Sequence, residues 1–288
     1  MLRKIGVIGM SLVFAAGVWA DYPADRKAAA ELARAGKKDQ ALEAFLKLAD
    51  TSTSDVQKSD ALQQAIECVD NVKQYDRAME IAKKIPVASI SKNCQMQIME
   101  NGRKWNEIVE NFKDEDISTW PDSVKGDALL IRGTAYYNVQ KDGKKAEEDL
   151  KKASESLVNS NSKGVALNLL GDTYKNLLKD DSKALEAYRK TYSTDNVYKH
   201  CYSAIGVASI LKQQQKYDEA LQELNKIFTA EVTSSFWRGR MLRTMGDVLA
   251  ASGKKDEAIA KYNEALKLKD LPQEIKEECE NSLKAVQP

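Results

Sequence analysis

Few side chains in this 288-residue sequence combine the types and the spacing that catalysis needs. The single histidine, His200, is followed directly by Cys201, and neighbours on a helix point in different directions, so they are not expected to form a nucleophile–base pair. Asp114 opens a stretch similar to a calcium loop, but Thr119 replaces the required glycine and Lys125 the required glutamate. The sequence contains no GxxxxGK[ST], GxGxxG, GxSxG or HExxH motif. We therefore predict that the chain is not an enzyme and holds no metal or other cofactor.

The composition argues against several further classes of protein. Lys and Arg number 44 and Asp and Glu 43, so the near-zero net charge does not favour nucleic acid as a partner. With 5 Pro and 14 Gly, the chain is neither collagen-like nor a Pro/Gly-rich disordered protein. We expect a folded chain that acts by binding.

The first twenty residues resemble a secretory signal peptide. Arg3 and Lys4 precede an apolar run over residues 5–18, and Ala20 ends a stretch that a signal peptidase could cleave. The run is shorter than the roughly 20 residues that span a bilayer, and an uncleaved anchor is the alternative. No later segment is apolar enough to span a membrane, and there is no Asn-x-Ser/Thr sequon. We predict export to the periplasm or cell envelope of a bacterium, with no integral membrane segment after cleavage.

The four cysteines leave two interpretations open. Cys68, Cys94, Cys201 and Cys279 contain no CxxC spacing, so a structural zinc site is not predicted. Export permits disulfides, and Cys68 and Cys94 could lie on neighbouring helices. The alternative, which we favour, is that all four are free thiols packed as small apolar residues.

A short pattern recurs seven times along the chain. Each copy has a turn, a small or apolar anchor residue, and a bulky residue four positions later. The anchors are Ala41, Ala78, Ile108, Ala146, Ala184, Ala220 and Ala258. Their separations of 37, 30, 38, 38, 36 and 38 residues indicate an array of similar units.

Each anchor is predicted to lie on an amphipathic helix. Apolar residues follow it at spacings of three and four, as in Ala41, Leu42, Phe45 and Leu48. Two residues before the anchor, six of the seven copies have a side chain able to cap a helix: Asp39, Asp76, Asn106, Ser182, Asp218 and Asp256. We predict that these residues are N-caps; Lys144 is the exception.

A second helix is predicted upstream of each anchor, with a small residue that allows close packing. The fifth copy shows the whole pattern: Leu167, Leu170, Gly171, Tyr174, Ala184 and Tyr188. The seventh repeats it with Gly246, Ala258, Tyr262, Ala265 and Pro272. This pattern resembles the tetratricopeptide repeat over residues 24–272, most closely over 126–272. Arg132 departs from it, because it occupies a position that is normally apolar.

The resemblance implies an all-α fold, a right-handed α-solenoid of about seven helix-turn-helix repeats. We predict one domain over residues 21–288, with weaker repeats over 24–112, an irregular turn at 113–125 and stronger repeats over 126–272. Residues 273–286 have a narrow apolar stripe and are predicted to form a capping helix.

In the resembled family, ligand contacts come from the first helix of each pair, which lines a concave surface. Carried over to this sequence, the candidate partner-binding residues are Tyr137, Asn138, Asn168, Asp172, Lys175, Asn176, Tyr202, Lys212, Gln213, Arg240, Arg243 and Asp247. Asn side chains can hold an extended peptide backbone, and Arg240 and Arg243 could grip a carboxylate. The alternative is that all are ordinary solvated residues. Phe236 and Trp237 are expected to lie in the core between repeats.

We therefore predict a non-enzymatic scaffold of the bacterial envelope that binds a protein or peptide in its groove. The first alternative is a module for an envelope glycan or cell-wall fragment, with Tyr137 and Tyr202 stacking on sugar. A hydrolase using Asp172 and Asp247 and a self-associating structural protein are the remaining alternatives.

Overall fold

The structure is a computed structural model that describes residues 22–70 and 72–287; the predicted signal segment lies outside them. These residues form fifteen α-helices and no β-strand, which confirms the all-α prediction. Within the same residues, no helix combines the length and apolarity that crossing a bilayer requires. The chain divides between Gln140 and Lys141 into two compact parts.

The amino-terminal part contains seven helices that pack in chain order, each against its neighbours. They are α1 (Tyr22–Arg34), α2 (Lys38–Thr51), α3 (Asp55–Cys68), α4 (Tyr75–Lys83), α5 (Ala88–Asn101), α6 (Trp105–Phe112) and α7 (Asp122–Ala135). First helices also contact across repeats. From α1, Tyr22 and Arg26 donate to the Asp60 carboxylate of α3, at 2.7 Å for the tyrosine hydroxyl.

The carboxyl-terminal part contains eight helices in the same alternating arrangement. They are α8 (Gly143–Ser156), α9 (Ser160–Asp172), α10 (Asp181–Lys190), α11 (Val197–Gln213), α12 (Tyr217–Ile227), α13 (Ser235–Ala251), α14 (Lys255–Leu266) and α15 (Gln273–Val286). Here α9, α11, α13 and α15 are first helices, and each contacts the next.

The anchor residues lie where the sequence pattern predicts them. All seven are fully buried on the second helix of their repeat, and Leu42, Phe45 and Leu48 of α2 are buried beside Ala41. A small anchor allows two helices to approach closely, and the bulky residue one turn later fills the adjoining space. The repeat register is therefore confirmed.

The predicted N-caps are wrong by two positions. In six repeats the residue five before the anchor has a left-handed backbone, with φ between 53° and 84°: Gly36, Arg103, Lys141, Lys179, Gln215 and Gly253. The next residue is the N-cap, and only Asp142 and Asp180 among these caps accept bonds from the first turn.

The residues predicted as caps therefore lie inside the first turn of each helix. Asp39, Asp218 and Asp256 are first-turn acids of α2, α12 and α14. Their carboxylates interact favourably with the positive end of the helix dipole, which contributes about 0.3–1 kcal/mol each.

Two first helices end in a wider, π-helical turn. These segments are Tyr136–Gln140, after α7, and Thr173–Leu178, after α9. A π-helical turn fits extra residues into a helix, which agrees with the long repeat spacing at this point of the chain.

The segment predicted as a long irregular turn, residues 113–125, includes a short 3₁₀ helix (Ile117–Thr119) before α7 starts. Ile117 and Trp120 are buried. Arg132, the unusual charge in α7, donates to the carbonyl oxygens of Phe112 at 2.9 Å and Glu115 at 2.7 Å. Arg132 therefore ties this segment to the helix that follows it.

The last helix, α15, has the bounds predicted for the capping helix. Ile275 and Cys279 are buried, and Leu283 and Val286 pack against the cluster that contains Tyr262. The four cysteines are free and buried, as favoured from the sequence. Burial raises the pKa of the thiols, to about 12 for Cys94.

Candidate functional site

The predicted site residues of the carboxyl-terminal part lie on its first helices. One side of α9, of the π-helical segment after it, and of α11 and α13 is here called the first-helix face. It includes the exposed Tyr202 and the partly buried Asp172, Lys175, Lys212, Trp237 and Arg240. The helices are held together by side-chain bonds between residues about one repeat apart.

Asp172 is the centre of one such set of bonds. Its Oδ1 accepts from the Tyr188 hydroxyl at 2.6 Å, and its Oδ2 accepts from the Tyr202 hydroxyl at 2.6 Å. Tyr188 is buried, and its ring packs against glycines of both α9 and α11. A Cβ on Gly171 would lie 2.5 Å from the ring, and a Cβ on Gly206 would lie 2.8 Å from it. The glycines therefore create the space for the ring, and the adjacent aspartate holds its hydroxyl.

The seventh repeat uses the same arrangement. A Cβ on Gly246 would lie 2.4 Å from the ring of Tyr262, whose hydroxyl donates to Asp247 Oδ1 at 2.9 Å. The recurring Gly-Asp pair, with a tyrosine 15 or 16 residues after the aspartate, is the sequence signal for this hydrogen bond.

Burial shifts the ionisation of two site residues. Burial raises the pKa of Asp172, against the effect of the two tyrosine hydroxyls. Burial also lowers the pKa of Lys175; the nearby Asp172 and Asp181 charges oppose this shift, and the weaker effect of the Lys212 charge adds to it. The Lys175 ammonium donates to the Ser209 hydroxyl at 2.9 Å. The face thus has a half-buried ammonium bonded to a neutral oxygen.

Aromatic rings from α11 and α13 meet on this face. The Tyr202 ring lies edge-on to Trp237 with centroids 6.4 Å apart, and Trp237 lies edge-on to Phe236 at 5.0 Å. Tyr202 is 38% exposed, and Phe236 and Trp237 are only partly buried. The two residues expected in the core between repeats therefore also reach the surface.

The two arginines predicted to act together have different surroundings. Arg243 donates to Glu278 of α15 at 3.0 Å and lies 3.8 Å from Asp247. The Arg240 guanidinium lies over the ring of Phe236, 5.6 Å from its centroid. Arg243 is thus engaged within the protein, whereas Arg240 has no ion pair among the described residues.

Asn168 is buried rather than presented to a partner. Its amide donates to the Lys199 carbonyl at 3.3 Å, and its oxygen accepts from the Ser203 hydroxyl. Both ends of the side chain therefore join α9 to α11.

The other predicted residues lie at the ends of first helices. Tyr137 and Asn138 are in the π-helical segment of the amino-terminal part, and Tyr137 is partly buried. Asn176 and Gln213 are exposed in the carboxyl-terminal part. The structure brings Asp172, Lys175 and Tyr202 together with Ser209 and Trp237, two residues that the site prediction had omitted.

The first-helix face combines aromatic, basic and hydrogen-bonding side chains. The described residues, 22–70 and 72–287, contain no cluster of three His, Cys, Asp or Glu side chains able to hold a metal ion. An ordered aromatic pair lies between acidic and basic groups, an arrangement suited to a ligand with both apolar and polar groups.

Comparison with known proteins gives a family and a similar structure. A family model for the tetratricopeptide repeat-like domain matches residues 132–286, more than half of the chain. A solved tetratricopeptide repeat protein from Parabacteroides merdae ATCC 43184 is similar at 14% identity and a TM-score of 0.48, over 91% of this chain and 98% of the other. No curated protein matches this sequence.

Proposed function

Because the chain belongs to the tetratricopeptide repeat-like family, we propose that it is a non-enzymatic binding protein whose first-helix face takes an extended segment of a protein partner. Domains of this family generally mediate protein–protein interaction and typically act as scaffolds.

Tyr202 is the observation that supports this function most strongly. Four large apolar side chains are exposed among the described residues, and Tyr202 is the aromatic one. Its hydroxyl is held by Asp172 and its ring by Trp237, so little rotamer freedom is left to lose on binding. Ordered, partly exposed Tyr and Trp side chains are the residue types that most often dominate interface energies.

A capture experiment with matched variants tests this proposal. The immobilised full chain, Tyr202→Ala, Trp237→Ala and Tyr217→Ala are each exposed to envelope extract, and retained proteins are quantified by mass spectrometry. Tyr217, on the second helix α12, is the control tyrosine. We expect a partner that is retained by the wild type and the control and loses about 30-fold in affinity with either test variant.

Retention that is equal for all four proteins would contradict a binding role for this face. Titration with envelope polysaccharides distinguishes peptide binding from the glycan alternative. Binding of a polysaccharide in the absence of any peptide would favour the glycan, because a sugar would then stack on Tyr202.

We also propose that the protein acts in the bacterial envelope. Arg3 and Lys4, the apolar run over residues 5–18 and the small residue Ala20 support export. Cell fractionation and amino-terminal sequencing test this proposal. The expected result is a periplasmic chain that begins at Asp21, and a cytoplasmic chain that retains residues 1–20 would contradict it.

A further inference from the structure

Charge is distributed unequally between the two layers of helices in the carboxyl-terminal part. The first helices α9, α11 and α13, with the π-helical segment after α9, contain seven Lys or Arg and two Asp. The second helices α8, α10, α12 and α14 contain ten Lys or Arg and twelve Asp or Glu. The basic excess therefore belongs to α9, α11 and α13 with that segment, whereas the fourth first helix, α15, contains two Lys and four Glu. The chain as a whole has a net charge of only +1.

The two acids of these first helices are occupied within the protein. Asp172 accepts a hydroxyl on each oxygen, and Asp247 accepts from Tyr262 and lies near Arg243. The helix that follows, α15, is acidic, and its Glu278 pairs with Arg243. Because both carboxylates already have partners within the protein, Asp172 and Asp247 are not available to bind a cation of a ligand.

Three basic side chains of the first-helix face are not paired with a carboxylate. Lys175 donates to a serine hydroxyl, Arg240 lies over an aromatic ring, and neither they nor Lys212 form an ion pair within the described residues. Lys212 lies one helical turn after Ser209, so it is close to the Lys175 ammonium. The charges of Asp172 and Asp181 also act on the Lys175 ammonium, but neither carboxylate forms an ion pair with it within the described residues, so the two lysines can still bind an anionic ligand.

From this asymmetry we infer that the partner segment is acidic, with carboxylates that reach Lys175, Lys212 and Arg240 and an apolar side chain that packs on Tyr202 and Trp237. This inference rests on the proposed function and specifies the chemistry of its ligand. Successive packed helices are about 10 Å apart, so an extended segment of about six residues spans the roughly 20 Å from α9 to α13.

Three matched pools of fluorescein-labelled peptides, each about eight residues long, test the inference. Every peptide has one central Trp or Leu; the flanking residues are Asp and Glu in the acidic pool, Asn and Gln in the neutral pool, and Lys and Arg in the basic pool. Anisotropy with the full chain should show binding of the acidic pool at least about tenfold tighter than of the others, and weakening as salt is added.

The triple variant Lys175→Gln, Lys212→Gln, Arg240→Gln locates the effect. We expect about a tenfold loss of affinity for the acidic pool, because each surface charge pair contributes modestly.

A control triple variant removes the same charge elsewhere, at exposed lysines on or beside second helices: Lys151→Gln, Lys255→Gln and Lys267→Gln. Its affinity should stay within about twofold of wild type, because these lysines lie outside the first-helix layer.

The outcomes separate the two proposals. Tighter binding of the basic or neutral pool that depends on Tyr202 and Trp237 would overturn the acidic partner and leave the binding face intact. Equal affinity of the two triple variants, or no acidic binding at about 1 mM, would also overturn the inference. If a single-stranded DNA of equal charge bound more tightly than the acidic pool, the inference of an acidic peptide would be wrong and the ligand would be a nucleic acid. Absence of binding by every pool would count against both proposals.

Discussion

The substitution Gly171→Ala tests how the repeats of the carboxyl-terminal part fit together. A Cβ at this position would lie 2.5 Å from both Cδ1 and Cε1 of Tyr188. The ring cannot move away freely, because Gly206 of α11 also approaches it so closely that a Cβ there would lie 2.8 Å from Tyr188. Tyr188 is 1% exposed, and its hydroxyl is bonded to Asp172. The added methyl group must therefore displace a buried, hydrogen-bonded ring.

The expected cost is the sum of opposing effects. Overpacking a core costs about 1–3 kcal/mol, and loss of the hydroxyl bond to a carboxylate adds about 1.5–3 kcal/mol if the ring is pushed out. Replacing a helical glycine by alanine returns about 1 kcal/mol. We predict that Gly171→Ala lowers the free energy of unfolding by about 2 kcal/mol, or the melting temperature by about 6 °C.

Urea unfolding followed by circular dichroism at 222 nm measures this effect, with Gly102→Ala as the control. A Cβ on Gly102 has no neighbour closer than 3.6 Å, so we expect a change within about 0.5 kcal/mol. Tyr188→Leu combined with Gly171→Ala should show a coupling energy of at least about 1 kcal/mol, because the smaller side chain relieves the clash. Wild-type stability of Gly171→Ala together with zero coupling would refute the packing argument.

Three further predictions follow from local contacts. Asp180→Ala should cost about 1 kcal/mol because it removes an N-cap, whereas Asp256→Ala should cost only a few tenths, and equal losses in thermal unfolding would contradict the observed cap register. Because its pKa is lowered, Lys175 should lose its proton at lower pH than exposed lysines, and Lys212→Gln should raise that pKa in ¹³C-methyl-lysine NMR; an unchanged pKa would contradict their proximity. The four buried thiols should react with a disulfide reagent only after unfolding, and rapid labelling of the native chain would contradict their burial.

The sequence was sufficient to predict the repeat register but not the geometry of its turns. The spacing of buried anchors such as Ala184 and Ala258 reflects helix packing, which a 3.6-residue period reveals directly. The N-cap is the residue that directly follows the left-handed residue of each turn. A glycine such as Gly253 marks that position in the sequence, whereas Lys179 and Gln215 adopt the same conformation without any such mark.

The candidate site was predicted by position, and only part of its chemistry could be anticipated. Family resemblance placed Asp172, Lys175 and Tyr202 on one face, where the structure also has them. Burial of Asn168 and the pairing of Arg243 with a glutamate of α15 depend on partners about one repeat away. A single-helix pattern contains no information about such contacts between repeats.

Photo-crosslinking at Trp237 tests most directly whether a protein partner binds on the first-helix face. In cells, p-benzoylphenylalanine replaces Trp237 on the first-helix face or, as the control, Tyr217 on α12. The account predicts a crosslinked protein partner from position 237 that is absent from position 217. Crosslinks of the same partner from both positions, or from position 217 alone, would show that binding does not take place on the first-helix face.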